Sequence, residues 1–508
     1  MSVAPEAESR LFGLERPVIA IAAVVVVGAI MSILDTTIVN IALRTLGDDL
    51  HGSLRSVQWV STGYLLSLAL VIPLTGWAAE RYGARRVWLV SVVLFVAGSV
   101  LCGAAWSLGS LIGFRVLQGF GGGMIMPAGM ILIAQAAGPR RMGRVMSVIG
   151  VPMVLAPALG PVIGGLIVDN ASWRWIFFVN VPIGVLGIWL GRRRLPRGQG
   201  SRDAGRVDLL GLALLSPGLA LVVFGLAEVA SHGGVKGTND WLPLVAGVVL
   251  TVAFCRHALR AERPLIDLRV FKGEAFAAGS ATTFLLGAAL FGGLLVMPLY
   301  YQVARGSSPL EAGLLLAPQG FGVMLAMPLT GRLTDRVGGG RVAVVGLVIL
   351  TLATIPFAVV DPDTPYAWLA SVLFVRGVGI GATMMPAMAA AYATMERAEV
   401  PKGTTVLNVV QRVGGSIGTA ILAVVLQHQI AAQVPGARGG LLSGGGAGHV
   451  AAPPGRAEAL AHAFGTTFWW TVAMGLLALP PTLLLARATR RTPAAAPAEP
   501  AVVETLAG

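Results

Sequence analysis

Fourteen apolar runs, each long enough to cross a bilayer as a helix, constrain this chain more than any other feature. They lie near 18–43, 58–78, 86–106, 109–134, 145–168, 175–191, 208–229, 241–259, 275–301, 310–330, 341–360, 366–392, 404–427 and 464–486. Hydrocarbon offers the backbone no water, so each segment must satisfy its own N–H and C=O groups, which a helix does. Composition agrees: 55% of the 508 residues are hydrophobic, only 12% are charged, and the mean hydropathy is +0.78. The expected fold class is an all-α membrane protein with fourteen transmembrane helices.

The net charge of +13 raises the question of nucleic acid, but its distribution answers it. With an even number of spans both termini share one side, and 26 of the 37 Lys and Arg residues fall on that side, against seven on the other and four inside helices. Positive loops stay cytoplasmic, so both termini are expected there and no nucleic-acid partner is expected. Trp59, Trp77, Trp88, Trp106, Trp173, Trp175, Trp189, Trp241 and Trp368 fall near helix ends, where amphipathic rings prefer to sit. Cys102 and Cys255 sit in separate apolar runs and indicate neither a disulfide nor a metal site. None of the three lysines (Lys236, Lys272, Lys402) is followed by Ser or Thr, so the chain has no phosphate loop. No cofactor, no metal and no enzyme are expected. The first apolar run lacks a small-residue cleavage site and reads as an uncleaved span.

An internal repeat organises the spans. Gly76-Trp-Ala-Ala-Glu80-Arg81-Tyr-Gly83-Ala-Arg85-Arg86 follows the second helix, and Gly331-Arg-Leu-Thr-Asp335-Arg336-Val-Gly338 follows the tenth. Further on, Arg115 leads through glycines to Met126-Pro127, and Arg376 does the same to Met385-Pro386. The expected domains are a cytoplasmic N-terminus (1–17) and a six-helix bundle (18–191), then a basic linker with two inserted helices and a loop (192–274). A second six-helix bundle (275–487) carries a long external loop (428–463), and a disordered cytoplasmic tail (488–508) ends the chain. Repeats of this kind place binding sites at the interface of the halves, near mid-membrane.

Asp35 is the leading functional candidate, because an ionisable residue inside a spanning helix usually faces a protein interior or watery cavity and finds a partner. Helix rise puts Asp35 about 12 Å and Arg115 about 9 Å from the same membrane side, so the two share a depth. The opposite charge favours ionised Asp35 and dehydration favours the neutral form, which is the chemistry of proton coupling. Two plainer readings stand beside it: Asp35 as a helix cap, and Arg115 as a fixed fork bonding carbonyls or Gln118. The two Gly–acid–Arg loops read as a latch between helices or as positive-side anchors. In the fifth helix Pro157, Gly160, Pro161, Gly164 and Gly165 permit close packing and a bend, through packing alone or in gating. Asn40, Gln319, Arg376, Asn408, Gln411 and Arg412 are candidate cavity residues, or else interhelical hydrogen-bonders.

The chain resembles the fourteen-helix drug:proton antiporters of the major facilitator superfamily. The resemblance runs along nearly its whole length, through Leu34-Asp35-Thr36-Thr37-Ile38-Val39-Asn40, Arg115-Val-Leu-Gln118-Gly119, Gly160-Pro161-Val-Ile-Gly164-Gly165 and Trp173-Arg-Trp-Ile-Phe-Phe-Val-Asn180-Val-Pro182. Arg44 and Glu80 depart from the family's usual proline and aspartate. The resemblance implies a proton-coupled exporter of amphipathic drugs or antibiotics in the cytoplasmic membrane, working by alternating access. Its implied partners are a small amphipathic substrate, protons and the bilayer, with anionic lipid at the basic loops and a monomer as the unit. An importer or uniporter of a small nutrient, or a non-transporting membrane receptor, remains the alternative.

Overall fold

A computed structural model describes residues 16–51, 54–137, 145, 149–150, 160, 163–168, 170–197, 200, 207–232, 234, 237–262, 264–307, 309–393, 395, 399–433 and 456–491. Among them thirteen helices are long and apolar enough to span a membrane. The first half comprises α1 (Arg16–Asp49), α2 (Leu54–Tyr82), α3 (Ala84–Gly103), α4 (Leu108–Ala137), a described piece of α5 at 163–168, and α6 (Trp175–Arg194), which breaks for one residue at Val179. The inserted pair is α7 (Leu209–His232) and α8 (Thr238–Arg260). The second half comprises α9 (Glu274–Leu299), α10 (Pro309–Val337), α11 (Gly339–Leu352), α12 (Tyr366–Tyr392), α13 (Val400–Gln433) and α14 (Arg456–Arg491). Most of the expected fifth span lies outside the described residues.

Two boundaries differ from the sequence reading. The external loop was expected over 428–463, but α13 runs to Gln433 and α14 starts at Arg456. Ile430, Leu460 and Ala463 are buried there, and Gln433 Nε2 lies 2.8 Å from His462 Nδ1. Packing between the two helices thus carries them past the apolar run that hydropathy detects. At the other end α14 extends to Arg491, so the tail expected from 488 begins with helix.

The repeat is reproduced in the backbone. Gly83 is the single residue between α2 and α3, with φ 86° and ψ 136°, and Gly338 stands between α10 and α11 with φ 91° and ψ 138°. Only glycine adopts this positive-φ extended geometry without strain. Gly83→Ala and Gly338→Ala should each destabilise the protein by about 1–3 kcal/mol, read as a lower melting temperature in detergent micelles. A variant that melts like the parent would mean that the turn relaxes at no cost.

Helix packing is asymmetric across the membrane. On the side of the Gly76 and Gly331 loops, one apolar cluster joins both halves, uniting Ala78, Ile133 and Ile149 with Met327, Met385 and Leu407. On the opposite side the core divides: one cluster holds Ile38, Val57, Leu111 and Phe177 from the first half alone, the other Tyr300, Phe357, Leu373 and Phe464 from the second alone. A Cβ on Gly150 would collide with the thioether of Met327 and lie 3.6 Å from Met385 Cγ, so bare backbone there lets the halves touch.

The inserted helices pair through small residues. Gly247 sits against the Val222 amide, and Gly225 against the backbone of Leu244. Val245, Val248, Val249 and Val252 of α8 face outward, as a lipid-exposed helix requires. Helix α7 lies against α2 of the first half and α13 of the second, and Phe224 stacks on Trp59 at 5.7 Å. At the loop-side end Asp208 caps α7 through the Gly211 amide (2.8 Å), meets His257 Nε2 at 2.9 Å and accepts from the Leu265 amide at 3.1 Å. Burial alone pushes this carboxyl up, but the Gly211, His257 and Leu265 donors outweigh it and hold it below the usual aspartate range.

Candidate functional site

Asp35 sits in the middle of α1 and is fully buried. Three N–H donors from three positions converge on it. Arg115 Nη1 of α4 donates to Oδ2 at 2.6 Å, while Gln118 Nε2, one turn further along α4, and Asn180 Nδ2 of α6 each donate to Oδ1 at 2.9 Å. The shared depth expected from helix rise is thus realised as an ion pair between side chains that are 1% and 0% exposed.

Arg115 is held from every side. Its Nε donates to the Val60 carbonyl at 3.2 Å, its Nη1 also donates to Gln118 Oε1 at 2.7 Å, and its guanidinium lies 4.0 Å from the centre of the Tyr64 ring. The structural-fork and charge-pair readings of Arg115 therefore describe one arrangement. Gln118 Nε2 reaches Ser99 Oγ at 2.7 Å, and Tyr64 Oη lies 3.4 Å from Ser32 Oγ, so α1, α2, α3, α4 and α6 all contribute. An ionised carboxylate is an acceptor only. Adding a proton to either oxygen puts a donor against donors, so at least one of the three must turn away. Asn180 Oδ1 is buried without a partner, and turning that amide over presents an acceptor in place of the donor.

The sequence reading named Asp35, Arg115 and Gln118 as site residues, quoted Asn180 only within the Trp173–Pro182 resemblance, and did not name Ser99 or Tyr64. Asn180 carries a signal, an amide inside an apolar span, whereas Ser99 and Tyr64 are ordinary residues for a membrane helix until their neighbours are known.

Other candidates fall elsewhere. In the second half Arg376 of α12 is 2% exposed and donates through Nη1 to Gln319 Oε1 of α10 and through Nε to Thr354 Oγ1 at 3.3 Å. The trio on α13 does not join it. Asn408 bonds its own helix at the Thr404 carbonyl (2.8 Å), Gln411 Nε2 points to Met384 Sδ (3.8 Å), and Arg412 is exposed within electrostatic range of Tyr64. Asn40 belongs to α1, but its side chain lies outside the described residues, as do Pro157 and Pro161. Gly160 packs so tightly on Thr37 that a Cβ would collide with its hydroxyl, and one on Gly164 would lie 3.3 Å from Ile38, while Gly165 meets nothing within 4 Å. Smooth backbone at 160 and 164 thus presses the fifth helix onto the turn of α1 that follows Asp35.

In the loops, Gly76 and Gly331 are buried and Arg86 and Arg336 exposed. Arg85 Nη2 donates to the Arg192 carbonyl at 2.6 Å, and Gly200 of the basic linker lies against the backbone of Arg81. Glu80 is half-buried and makes no ion pair among the described residues, so the first loop is tied down by its arginines rather than its acid. Asp335 is half-buried at the matching place.

The family model described as "Major Facilitator Superfamily" matches residues 25–419. The chain belongs to the major facilitator superfamily. Among its superfamily relatives, a "Multidrug resistance protein B homolog" of Mycobacterium tuberculosis is 41% identical over 411 residues, covering 80% of this chain and 76% of that protein. The "Tetracenomycin C resistance and export protein" of Streptomyces glaucescens is 31% identical over 409 residues, covering 80% and 75%. The solved proton:xylose symporter XylE superposes with a TM-score of 0.62 at 12% identity, over 91% of this chain and 94% of its own, and shows the same fold. As a major facilitator protein the chain is a multi-pass membrane transporter, not an enzyme.

Proposed function

We propose that the protein is a proton-coupled antiporter that exports amphipathic drugs or antibiotics across the cytoplasmic membrane by alternating access. The observation that carries this reading is the sealed Asp35 carboxylate, paired with Arg115 at 2.6 Å and surrounded by donors alone. In the ionised state the cage fits the acid. Protonation sets a hydroxyl against donors, so the proton and this packing of α1, α4 and α6 exclude one another unless Asn180 turns. That exclusion ties proton uptake to helix rearrangement, which is what coupling requires.

The positive-inside bias assigns both termini and the Gly76 and Gly331 loops to the cytoplasm, and the joined core then closes the cytoplasmic side. In this reading the described conformation faces outward, the latch loops steady it, and the fifth helix transmits movement to α1 through Gly160 and Gly164. The basic linker near Arg192–Arg206 meets anionic lipid headgroups, and the unit is a monomer. Relatives named for drug resistance and antibiotic export support an outward direction for an amphipathic organic compound.

The test is flux in proteoliposomes containing the purified protein and a panel of fluorescent amphiphiles. Imposing an inward proton gradient should accelerate outward movement of at least one compound and, when one pH unit (1.36 kcal/mol) is coupled one-to-one, hold it at a steady-state concentration ratio of about tenfold. A protonophore should abolish the acceleration. Equal flux with and without the gradient points to a uniporter, and no flux of any compound points to a receptor.

A further inference from the structure

Helix α6 ends beside the Gly83 turn in Trp189-Leu-Gly191-Arg192-Arg193-Arg194. An indole and a run of cations at the end of a spanning helix ordinarily mark the membrane surface and nothing more. Here they border a groove. An open cavity of about 410 Å³ lies along α6, lined by Val185, Ile188, Trp189, Arg192 and Arg193, and Val185 and Trp189 are exposed on it. From Val185 to Arg193 the groove follows about 12 Å of helix rise, and both arginines stand at its loop end.

The loop end of the groove is fixed in place. A Cβ on Gly191 would lie 2.8 Å from the Trp88 ring and 2.9 Å from Leu89, so the last turn of α6 presses on α3. Arg85 Nη2, at the start of α3, donates to the Arg192 carbonyl at 2.6 Å. Arg193 is placed as well. Its guanidinium lies 4.3 Å from the centre of the Trp189 ring, whose residue stands one turn further into the span, instead of reaching away from the bilayer as a snorkelling side chain does. Stacking occupies the face of a guanidinium and leaves its N–H edge for acceptors. One end of the groove therefore offers oriented, positively charged donors, and the other an apolar floor at the depth of acyl chains.

That polarity decides the occupant. A soluble anion would use the arginine end and leave Val185 and Ile188 uncovered. A phospholipid of the adjoining leaflet uses both ends, because its phosphodiester already rests at headgroup level with its chains pointing inward. Charge then selects among lipids. Arg85 adds a third guanidinium beside Arg192, so a choline headgroup would be brought against cations, whereas a headgroup carrying only the phosphate charge would not.

We propose that the α6 groove binds one anionic phospholipid, with its phosphodiester on Arg192 and Arg193 and an acyl chain over Ile188 and Val185. This narrows the lipid contact read above for the basic linker to a single site, and it rests on the membrane placement in that reading rather than on proton coupling. Arg192, which holds the lipid, also anchors Arg85, so an occupied groove braces the Gly76–Arg86 loop.

The test is native mass spectrometry of the delipidated full-length protein in detergent, titrated with dioleoylphosphatidylglycerol or dioleoylphosphatidylcholine. No transport is measured, so failure of proton coupling leaves the result intact, and failure here leaves the antiport reading standing. The first phosphatidylglycerol should bind at least about tenfold tighter than the first phosphatidylcholine, the return expected of charge-assisted hydrogen bonds. Arg192→Gln/Arg193→Gln should erase that preference while phosphatidylcholine binding stays within about twofold. Both side chains are exposed, so the variant should fold. Arg194→Gln/Arg197→Gln removes the same charge outside the groove and should keep the preference. Equal affinity of the wild type for the two lipids overturns the proposal, as does no retained lipid, or equal loss of preference in both double variants, which marks diffuse attraction to a basic surface. Displacement of phosphatidylglycerol by millimolar inorganic phosphate also overturns it, marking a site for soluble anions.

Discussion

Asp35→Asn is expected to abolish gradient-driven transport while leaving substrate binding measurable. The physical argument lies in the donors around the carboxylate. Arg115 reaches Oδ2, while Gln118 and Asn180 reach Oδ1, so both oxygens are needed as acceptors. Asparagine has one acceptor and one donor, and either orientation sets its NH2 against an N–H. It also leaves the Arg115 charge uncompensated in a site that is 1% exposed. Removing one partner of such a pair destabilises by about 3–5 kcal/mol. The double variant Asp35→Asn/Arg115→Gln removes both charges and should recover much of that loss in thermal unfolding, without recovering coupling. Proteoliposomes of each variant, compared with and without an imposed pH gradient, give the reading. If Asp35→Asn responds to the gradient like the wild type, the coupling acid lies elsewhere.

A covalent bridge across the joined side should have an equally large effect, by a different route. Gly150 and Met385 belong to different halves, and the built Cβ of Gly150 lies 3.6 Å from Met385 Cγ, the atom whose place a cysteine's Sγ would take, so the two thiols are within reach of each other. Gly150→Cys/Met385→Cys, on a background with Cys255→Ser, should cross-link on mild oxidation; the native Cys102 is buried and stays unreactive. Cross-linked protein should lose turnover almost completely and regain it on reduction, because alternating access requires these ends to separate. The binding measured from the opposite side should survive. Full turnover by a bridged protein would show that this contact persists through the cycle.

What the sequence made legible follows from which interactions are local. The spans and the pairing of Asp35 with Arg115 rest on segment length and helix rise, both of which can be read along one dimension. The matched turns at Gly83 and Gly338 were legible for the same reason, since a single-residue turn needs glycine wherever it occurs. Asn180 was not singled out, because its meaning depends on α6 meeting α1 and α3, and no spacing within α6 reports that. The second half shows the same limit: Gln319, Arg376, Asn408, Gln411 and Arg412 were grouped by polarity, yet only Gln319 joins Arg376. Polar residues on one helical face share a direction, and their partners are chosen by the neighbouring helix. The extra turns of α13 and α14 escaped hydropathy because packing, not lipid, holds them.

The placement of α7 changes how a molecule dissolved in the bilayer can reach the centre. Two bundles side by side make two vertical seams, each a lateral doorway from the leaflet. Here α7 lies along one of them, in contact with both α2 and α13, with α8 behind it. That seam is covered by two helices, whereas at the opposite seam, where Gly150 of the fifth helix meets Met327 of α10, no inserted helix lies among the described residues. On the export reading proposed above, the inserted pair thus leaves one lateral entrance where two bundles alone would have two.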